Sequence, residues 1–161
     1  MTDVLRKPGS RERVRTFLEA HGLADGLHEF EQSTKTAAQA ADAMGCELGQ
    51  IVKSLVFVVG DMPVLALVAG DRRGDSDAIS ALLGGGKVRF ADAETVRSAT
   101  GYAIGGVSPF DLPASLPVLA DASLSRFETV YPAAGTPSSM VRMRLAELLE
   151  LSHAQVAEIA R

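Results

Sequence analysis

Residues 50 to 71 read QIVKSLVFVVGDMPVLALVAGD, two apolar runs joined at Gly60-Asp61-Met62-Pro63. Runs of this length, rich in β-branched residues and broken by a Gly/Pro turn, predict a β-hairpin over 51–59 and 63–69. Side chains alternate across a strand, so Lys53 shares a face with Ile51, Leu55, Phe57 and Val59, and Ser54 joins Val52, Val56 and Val58. Neither face is polar. The strand is therefore covered on both sides and has one cation in it. Lys53 has two readings: its stem packs while its amine snorkels into water at the strand's end, or it lines a pocket. In a pocket, desolvation lowers its pKa and the amine meets a phosphate or a developing oxyanion. A Schiff-base role is also open to such a lysine.

With 161 residues, the chain fits one domain, 1–161, able to bury roughly two-thirds of its unfolded surface. No run reaches the roughly 18 apolar residues of a membrane span. The opening MTDVLRKPGSRERVRTF has no apolar stretch for a signal peptide. One cysteine, Cys46, excludes an internal disulfide framework and suits a reducing compartment, so the expected location is cytoplasmic. A net charge of −4 argues against a protein that coats nucleic acid, because such binding neutralises many phosphates. Local patches remain open. Arg6, Lys7, Arg11, Arg13 and Arg15 form one basic group, and Arg72, Arg73, Lys87 and Arg89 form a second. Each is either a solvated surface or an RNA contact.

Ser10 is placed to cap a helix to about His21, with Val14, Phe17 and Leu18 inward and Gly22 as its stop. LHEFE (27–31) reads as a short strand. An alanine-rich helix follows, with Ser33 or Thr34 as cap and Gly45 as terminator, thin enough to pack close to a neighbour. After the hairpin come a loop, the short helix AISALLGGG, a strand KVRF (87–90) and a helix capped by Asp92. YAIGGVSPF (102–110) reads as a strand entering a glycine-rich turn. Further strands are expected at 116–121, 128–135 and 139–144. The tail from Leu145 reads as helix, with Ser152 and Gln155 at capping-box spacing. Hairpins and irregular crossovers outnumber regular βαβ units. The expected class is mixed α/β, α+β-like, with about six to seven strands in a sheet curled toward a barrel and flanked by helices.

Two small-residue loops are candidates for a site beside Lys53. In TGYAIGGVSP (100–109), Gly105 and Gly106 allow backbone to approach a ligand and Pro109 stiffens the turn. PAAGTPSS (132–139) offers a second wall. Each alone is also simply a turn. The glycines form neither a dinucleotide fingerprint nor a P-loop. His21, His28 and His153 are scattered without metal-ligand spacing, so no metal and no cofactor are expected. Cys46 reads as a small buried hydrophobe, and Asp71 and Asp121 as turn or cap residues.

Gln50-Ile51-Val52-Lys53-Ser54-Leu55-Val56-Phe57, Val68-Ala69-Gly70-Asp71, Thr100-Gly101, Gly105-Gly106-Val107-Ser108-Pro109, Leu119-Ala120-Asp121 and Ala133-Ala134-Gly135 occur in that order. Together they resemble the YbaK/ProX family of aminoacyl-tRNA deacylases, related to the insertion domain of bacterial prolyl-tRNA synthetase. The likeness runs from about residue 28 to 150. It implies a cofactor-free hydrolase acting in trans on the acceptor end of a mischarged tRNA, most often the proline tRNA, with prolyl-tRNA synthetase as a partner. The family's lysine falls on Lys53 and its Gly-x-x-x-Pro loop on Gly105 to Pro109, so Lys53, Gly105 and Gly106 are the implied catalytic positions. Ser54, Val107, Ser108, Pro109, Ala134 and Gly135 are the implied substrate-binding ones. PAAGTPSS lacks the histidine that some relatives carry, a departure from the alanine-specific branch. The rival readings are a non-catalytic RNA-binding module of the same fold and a small-molecule enzyme working through an imine on Lys53.

Overall fold

The predicted hairpin organises the protein in a computed structural model that describes residues 9–31 and 36–161. The elements in chain order are α1 (Ser10–Ala20), β1 (Leu27–Glu29), α2 (Ala37–Met44), β2 (Ile51–Val59), β3 (Met62–Ala69), α3 (Ser76–Leu82) and β4 (Val88–Phe90). They continue with α4 (Ala93–Thr100), β5 (Val118–Asp121), β6 (Thr129–Pro132), β7 (Ser139–Val141), β8 (Met143–Arg144), α5 (Leu145–Ser152) and β9 (Gln155–Ala157). Seven strands form one mixed sheet in the order β8-β6-β2-β3-β5-β9, with β4 also on β2, and β1 pairs with β7 apart from it. This is the curled half-barrel expected of the sequence, with helices around it.

Both faces of the hairpin are buried, as its pattern requires. Val52, Val56, Val58, Leu65 and Leu67 pack inward with Val14 and Leu18 of α1, Tyr102, Phe110 and Leu148. On the opposite face Phe57, Val59, Val64, Ala66 and Val68 meet Ile79 of α3 and Ile159. No helix among the described residues is long and apolar enough to cross a membrane.

Local signals decide most helix ends. Asp92 accepts from the Thr95 N–H at 2.8 Å and Asp75 caps α3 in the same way. Four expectations change. Ser10 is the first helical residue and Gly9 holds the cap position without a side-chain bond. Ser33 and Thr34 lie outside the described residues; Thr36 caps α2 and completes a capping box with Gln39. Residues 102–110 form no strand. Gly105 takes a φ of 89° there, and the segment is pinned by its ends, with the buried Tyr102 hydroxyl donating to the Phe110 carbonyl. The last helix stops at Ser152, because His153 turns left-handed at φ 57° and Gln155–Ala157 pairs in parallel with β5. Ser152 and Gln155 therefore make no capping box; a free sheet edge outcompetes another helical turn for these residues.

Asp121 ties that C-terminal strand to the sheet. Its carboxylate accepts from the N–H of Ile159 at 2.9 Å and from the N–H and hydroxyl of Ser123. Burial pushes its pKa up, but the hydrogen bonds from Ser123, Ile159 and Ala160 outweigh it and hold the carboxyl below its usual range. Replacing Asp121 by Ala strands the buried Ile159 N–H, and urea unfolding is expected to show a loss of about 1–3 kcal/mol at neutral pH. A depressed carboxylate stabilises the fold above its unfolded pKa, about 3.9, and the effect is lost as pH falls through the folded value. The gap between parent and variant should therefore close in acid. A gap unchanged by acid would show that the charge is not what stabilises.

Candidate active site

The sheet leaves a break along one edge of β2. There, β6 pairs only with Ile51 and Val52, while β4 pairs only with Phe57, Val58 and Val59. Main-chain groups of an antiparallel strand alternate in direction. The Ile51 carbonyl accepts from Gly70 on the β3 side, and the Val56 carbonyl accepts from Ala91 on the β4 side. Ser54 therefore turns its N–H and C=O toward the break. Lys53, Ser54 and Leu55 border a cavity of about 300 Å³ at this place, the lower end of the roughly 300–1,000 Å³ usual for ligand pockets. Thr36, the cap of the thin helix α2, and Ala37 and Ala40 within it close one side. Ile104, Gly105 and Val107 come from the first small-residue loop, and Ala133, Thr136, Pro137 and Ser139 from the second.

The predicted residues fall into two groups. Lys53, Ser54, Gly105 and Val107 border the cavity; Gly106, Ser108, Ala134 and Gly135 are buried and do not border it, and Pro109 instead lines a separate cavity with Phe17 and Leu112. A Cβ on Gly106 would come 2.9 Å from the Thr136 Cα and 3.1 Å from the Gly135 carbonyl oxygen, so the two loops touch backbone to backbone. Gly135 has a φ of 96°, and a Cβ there would meet the Ser10 carbonyl at 2.7 Å. The second loop is thus held between the first loop and α1. Thr136 and Ser139, which share a hydroxyl–hydroxyl bond of 2.7 Å, and the α2 wall were not singled out as site residues in the sequence. The small side chains of α2 were the signal that could have found that wall.

Lys53 is half-buried, and its ammonium donates to the main-chain carbonyl of Arg72 in the loop after β3. That loop is fixed from two sides. Arg126 forks onto both carboxylate oxygens of Asp71 at 2.8 Å, and Arg73 and Arg161 exchange main-chain hydrogen bonds of 2.9 and 2.8 Å. Burial is the main cause that pulls the Lys53 pKa down; the nearby charge of Arg73 adds to it and Asp71 opposes it. Among the described residues that line the cavity, Lys53 is the one ionisable side chain. The Ser54 hydroxyl is buried there and has no hydrogen-bond partner among the described residues. No group of three or more His, Cys, Asp or Glu is placed to hold a metal ion among the described residues. Cys46 packs half-buried beside a small cluster of Ile51, Tyr131 and Met140, and burial pushes its thiol pKa up. A second cavity, of about 360 Å³ and lined by His28, Arg142, Arg144 and Glu147 among others, borders none of the predicted site residues.

The sequence profile of the aminoacyl-tRNA editing domain matches residues 31–151. The chain belongs to the aminoacyl-tRNA editing domain family. This editing domain is 38% identical to YwhH, an uncharacterized protein of Bacillus subtilis (strain 168), over 91% of the chain and 94% of that protein. It superposes with a TM-score of 0.86 and 42% identity on the crystal structure of a candidate trans-editing enzyme for prolyl-tRNA synthetase, covering 97% of this chain and 99% of that one. A 77-residue stretch is 35% identical to the proline–tRNA ligase of Maridesulfovibrio salexigens, covering 48% of the chain and 13% of the ligase. The YbaK/ProX resemblance and the curled mixed sheet it implies both hold.

The electrostatics of this editing domain give a test that needs no substrate. Lys53 should titrate below the ordinary lysine value of about 10.4, read by NMR on lysine labelled at the side chain. Arg73→Ala removes a like charge, which favours the ammonium, so the Lys53 titration should move up. A Lys53 that titrates at the ordinary lysine value would contradict its burial at the cavity.

Proposed function

We propose that the protein is a trans-acting deacylase that hydrolyses the ester between a small mischarged amino acid and tRNA, with tRNA for proline as its main substrate. Alanine, cysteine, serine, threonine or a residue of similar size is the acyl group. The observation that carries this reading is the small cavity on Lys53, in a chain of the editing family. Two kinds of relative support it: the structural neighbour described as a candidate trans-editing enzyme, and the proline–tRNA ligases that match about half of the chain.

In the reaction, water adds to the ester carbonyl and the bond to the ribose oxygen then breaks. One proton of the water ends on the ribose oxygen, giving its hydroxyl, the other passes to solvent, and the amino acid leaves as its carboxylate. The step that needs help is the negative charge on the carbonyl oxygen in the tetrahedral intermediate, which preorganised donors stabilise. Lys53 supplies a cation for that oxygen or for the phosphate or ribose of the terminal adenosine. To reach either it exchanges the Arg72 carbonyl for the substrate. The main chain at Gly105 lies at the cavity to position the ester, with Gly106 behind it keeping the loops in contact. The described lining has neither imidazole nor carboxylate, so the reading assigns activation of the water to the substrate's own 2′-hydroxyl or amine. Discrimination by size is modest in such a pocket, because one methylene is worth about 1–3 kcal/mol.

Deacylation of tRNA for proline charged with alanine, cysteine, serine, threonine or proline tests the reading. One or two small esters should be lost rapidly, and Lys53→Ala should lower kcat/KM by about 100- to 1,000-fold. Gly106→Ala should lower turnover as well, with a reduced melting temperature, since its new Cβ forces the loops apart. Loss of no ester above the spontaneous rate would sink the proposal in favour of a binding module.

A further inference from the structure

The cavity of about 360 Å³ shares no lining residue with the one on Lys53. Its walls follow from strand register. Along the extended chain from β7 into β8, Val141 and Met143 are buried in the main core, whereas Arg142 and Arg144 are exposed. Residues two apart share a face, so the two arginines stand in one row, about 7 Å apart at Cα. Cross-strand partners share a face as well. His28 pairs with Met140, which places it on the face of Arg142, and Thr129 pairs with Arg144. Opposite Arg142 stands Gly26, whose carbonyl accepts from the Arg142 N–H at 2.8 Å. A Cβ on Gly26 would collide with the Arg142 carbonyl, so the place beside Arg142 is held by a residue without a side chain. Glu147, in the first turn of α5, and Asp25 complete the polar lining.

The charged groups on this cavity are not spent within the fold. Arg142, Arg144, Asp25 and Glu147 make no ion pair or side-chain hydrogen bond among the described residues. The N-terminal basic group differs. Arg11 and Arg15 pair with Glu29, and Arg13 pairs with Asp111. Arg6 and Lys7 lie outside the described residues. Two guanidinium groups in one row call for an anion. A carboxylate has two oxygens, which one planar fork satisfies, whereas a phosphate has enough oxygens for both. The carboxylates of Asp25 and Glu147 repel an acidic peptide, but they accept from hydroxyl groups. A ribose phosphate presents both partners: an anion for the arginines and a 2′-hydroxyl for a carboxylate.

We propose that this cavity is a ribose-phosphate site, with the phosphate between Arg142 and Arg144 and the 2′-hydroxyl donated to Glu147. The ligand is a free nucleotide or one unit of an RNA strand, and the site stands whatever Lys53 does. The whole chain is titrated, with backbone-amide NMR as the readout. The probes are adenosine 5′-monophosphate, its 2′-deoxy analogue, inorganic phosphate, L-proline and a short single-stranded RNA. Adenosine 5′-monophosphate should shift the amides of Gly26, Arg142 and Arg144. Replacing both arginines by Ala should weaken it by about 10- to 100-fold, with the melting temperature kept because both side chains are exposed. Glu147→Ala should erase the preference for the ribonucleotide over its 2′-deoxy analogue, while phosphate binds at least as well as before. RNA that binds more tightly than the mononucleotide, with a log–log salt slope flattened by about 0.7 in the double variant, identifies a strand as the ligand. Equal affinities identify the free nucleotide. Wild-type affinity in the double variant would overturn the proposal. So would phosphate or L-proline binding as tightly as the nucleotide, ribose and deoxyribose bound alike by the wild type, or no binding of any probe.

Discussion

An ammonium group in the middle of a strand with apolar neighbours on both faces must keep a polar partner, because taking it out of water otherwise costs several kcal/mol. In this protein the change of partner along β2 supplies the place. The strand is zipped to β3 for its whole length, but its other edge passes from β6 to β4 with Lys53, Ser54 and Leu55 between them. Had either neighbour continued, the sheet would be closed there and the lysine would have only a packed interior to enter. The break gives it a cavity, and the loop after β3 gives it the Arg72 carbonyl. The Asp71–Arg126 fork and the C-terminal main chain hold that carbonyl in place, so distant parts of the chain serve one amine.

The residues around the cavity share the work unequally. A few present surface to it, while others determine where that surface stands. Gly106 and Gly135 belong to the second kind: each is a point where backbone meets backbone at a distance that a methyl group would violate. Such contacts make a wall rigid without giving it polar chemistry. A rigid wall fixes the size of what the cavity admits.

Charge is distributed in a similarly divided way. The arginines near α1 are spent within the fold, on Glu29, on Asp111 and on an aromatic ring. Of the second basic group, Arg72 pairs with Asp71 at 3.9 Å, whereas Arg73, Lys87 and Arg89 make no ion pair among the described residues. Net acidity therefore coexists with a local cationic surface, since the field felt by a ligand at a few ångströms comes from its near neighbours and more distant charges are screened.

The local pattern of the chain was enough for the hairpin, its two buried faces, the caps at Asp92 and the stops at Gly22 and Gly45, because each depends on residues a few positions apart. The set Lys53, Gly105 to Pro109 and Ala133 to Gly135 was legible as motifs in order, and the family followed from them. Its division into lining and wall was not, since which of two neighbouring glycines faces a cavity depends on how two distant loops meet. Helix from Leu145 was legible, but its end at Ser152 was not, because only the folded protein has the open edge of β5 on which Gln155–Ala157 can pair. Lys53 shows the same separation. The sequence alone determined that a cation sits in a doubly covered strand. Tertiary structure decided where its amine goes, because the break in β2 arises from pairing with segments about 30 and 80 residues further on, at a strand spacing no local pattern encodes.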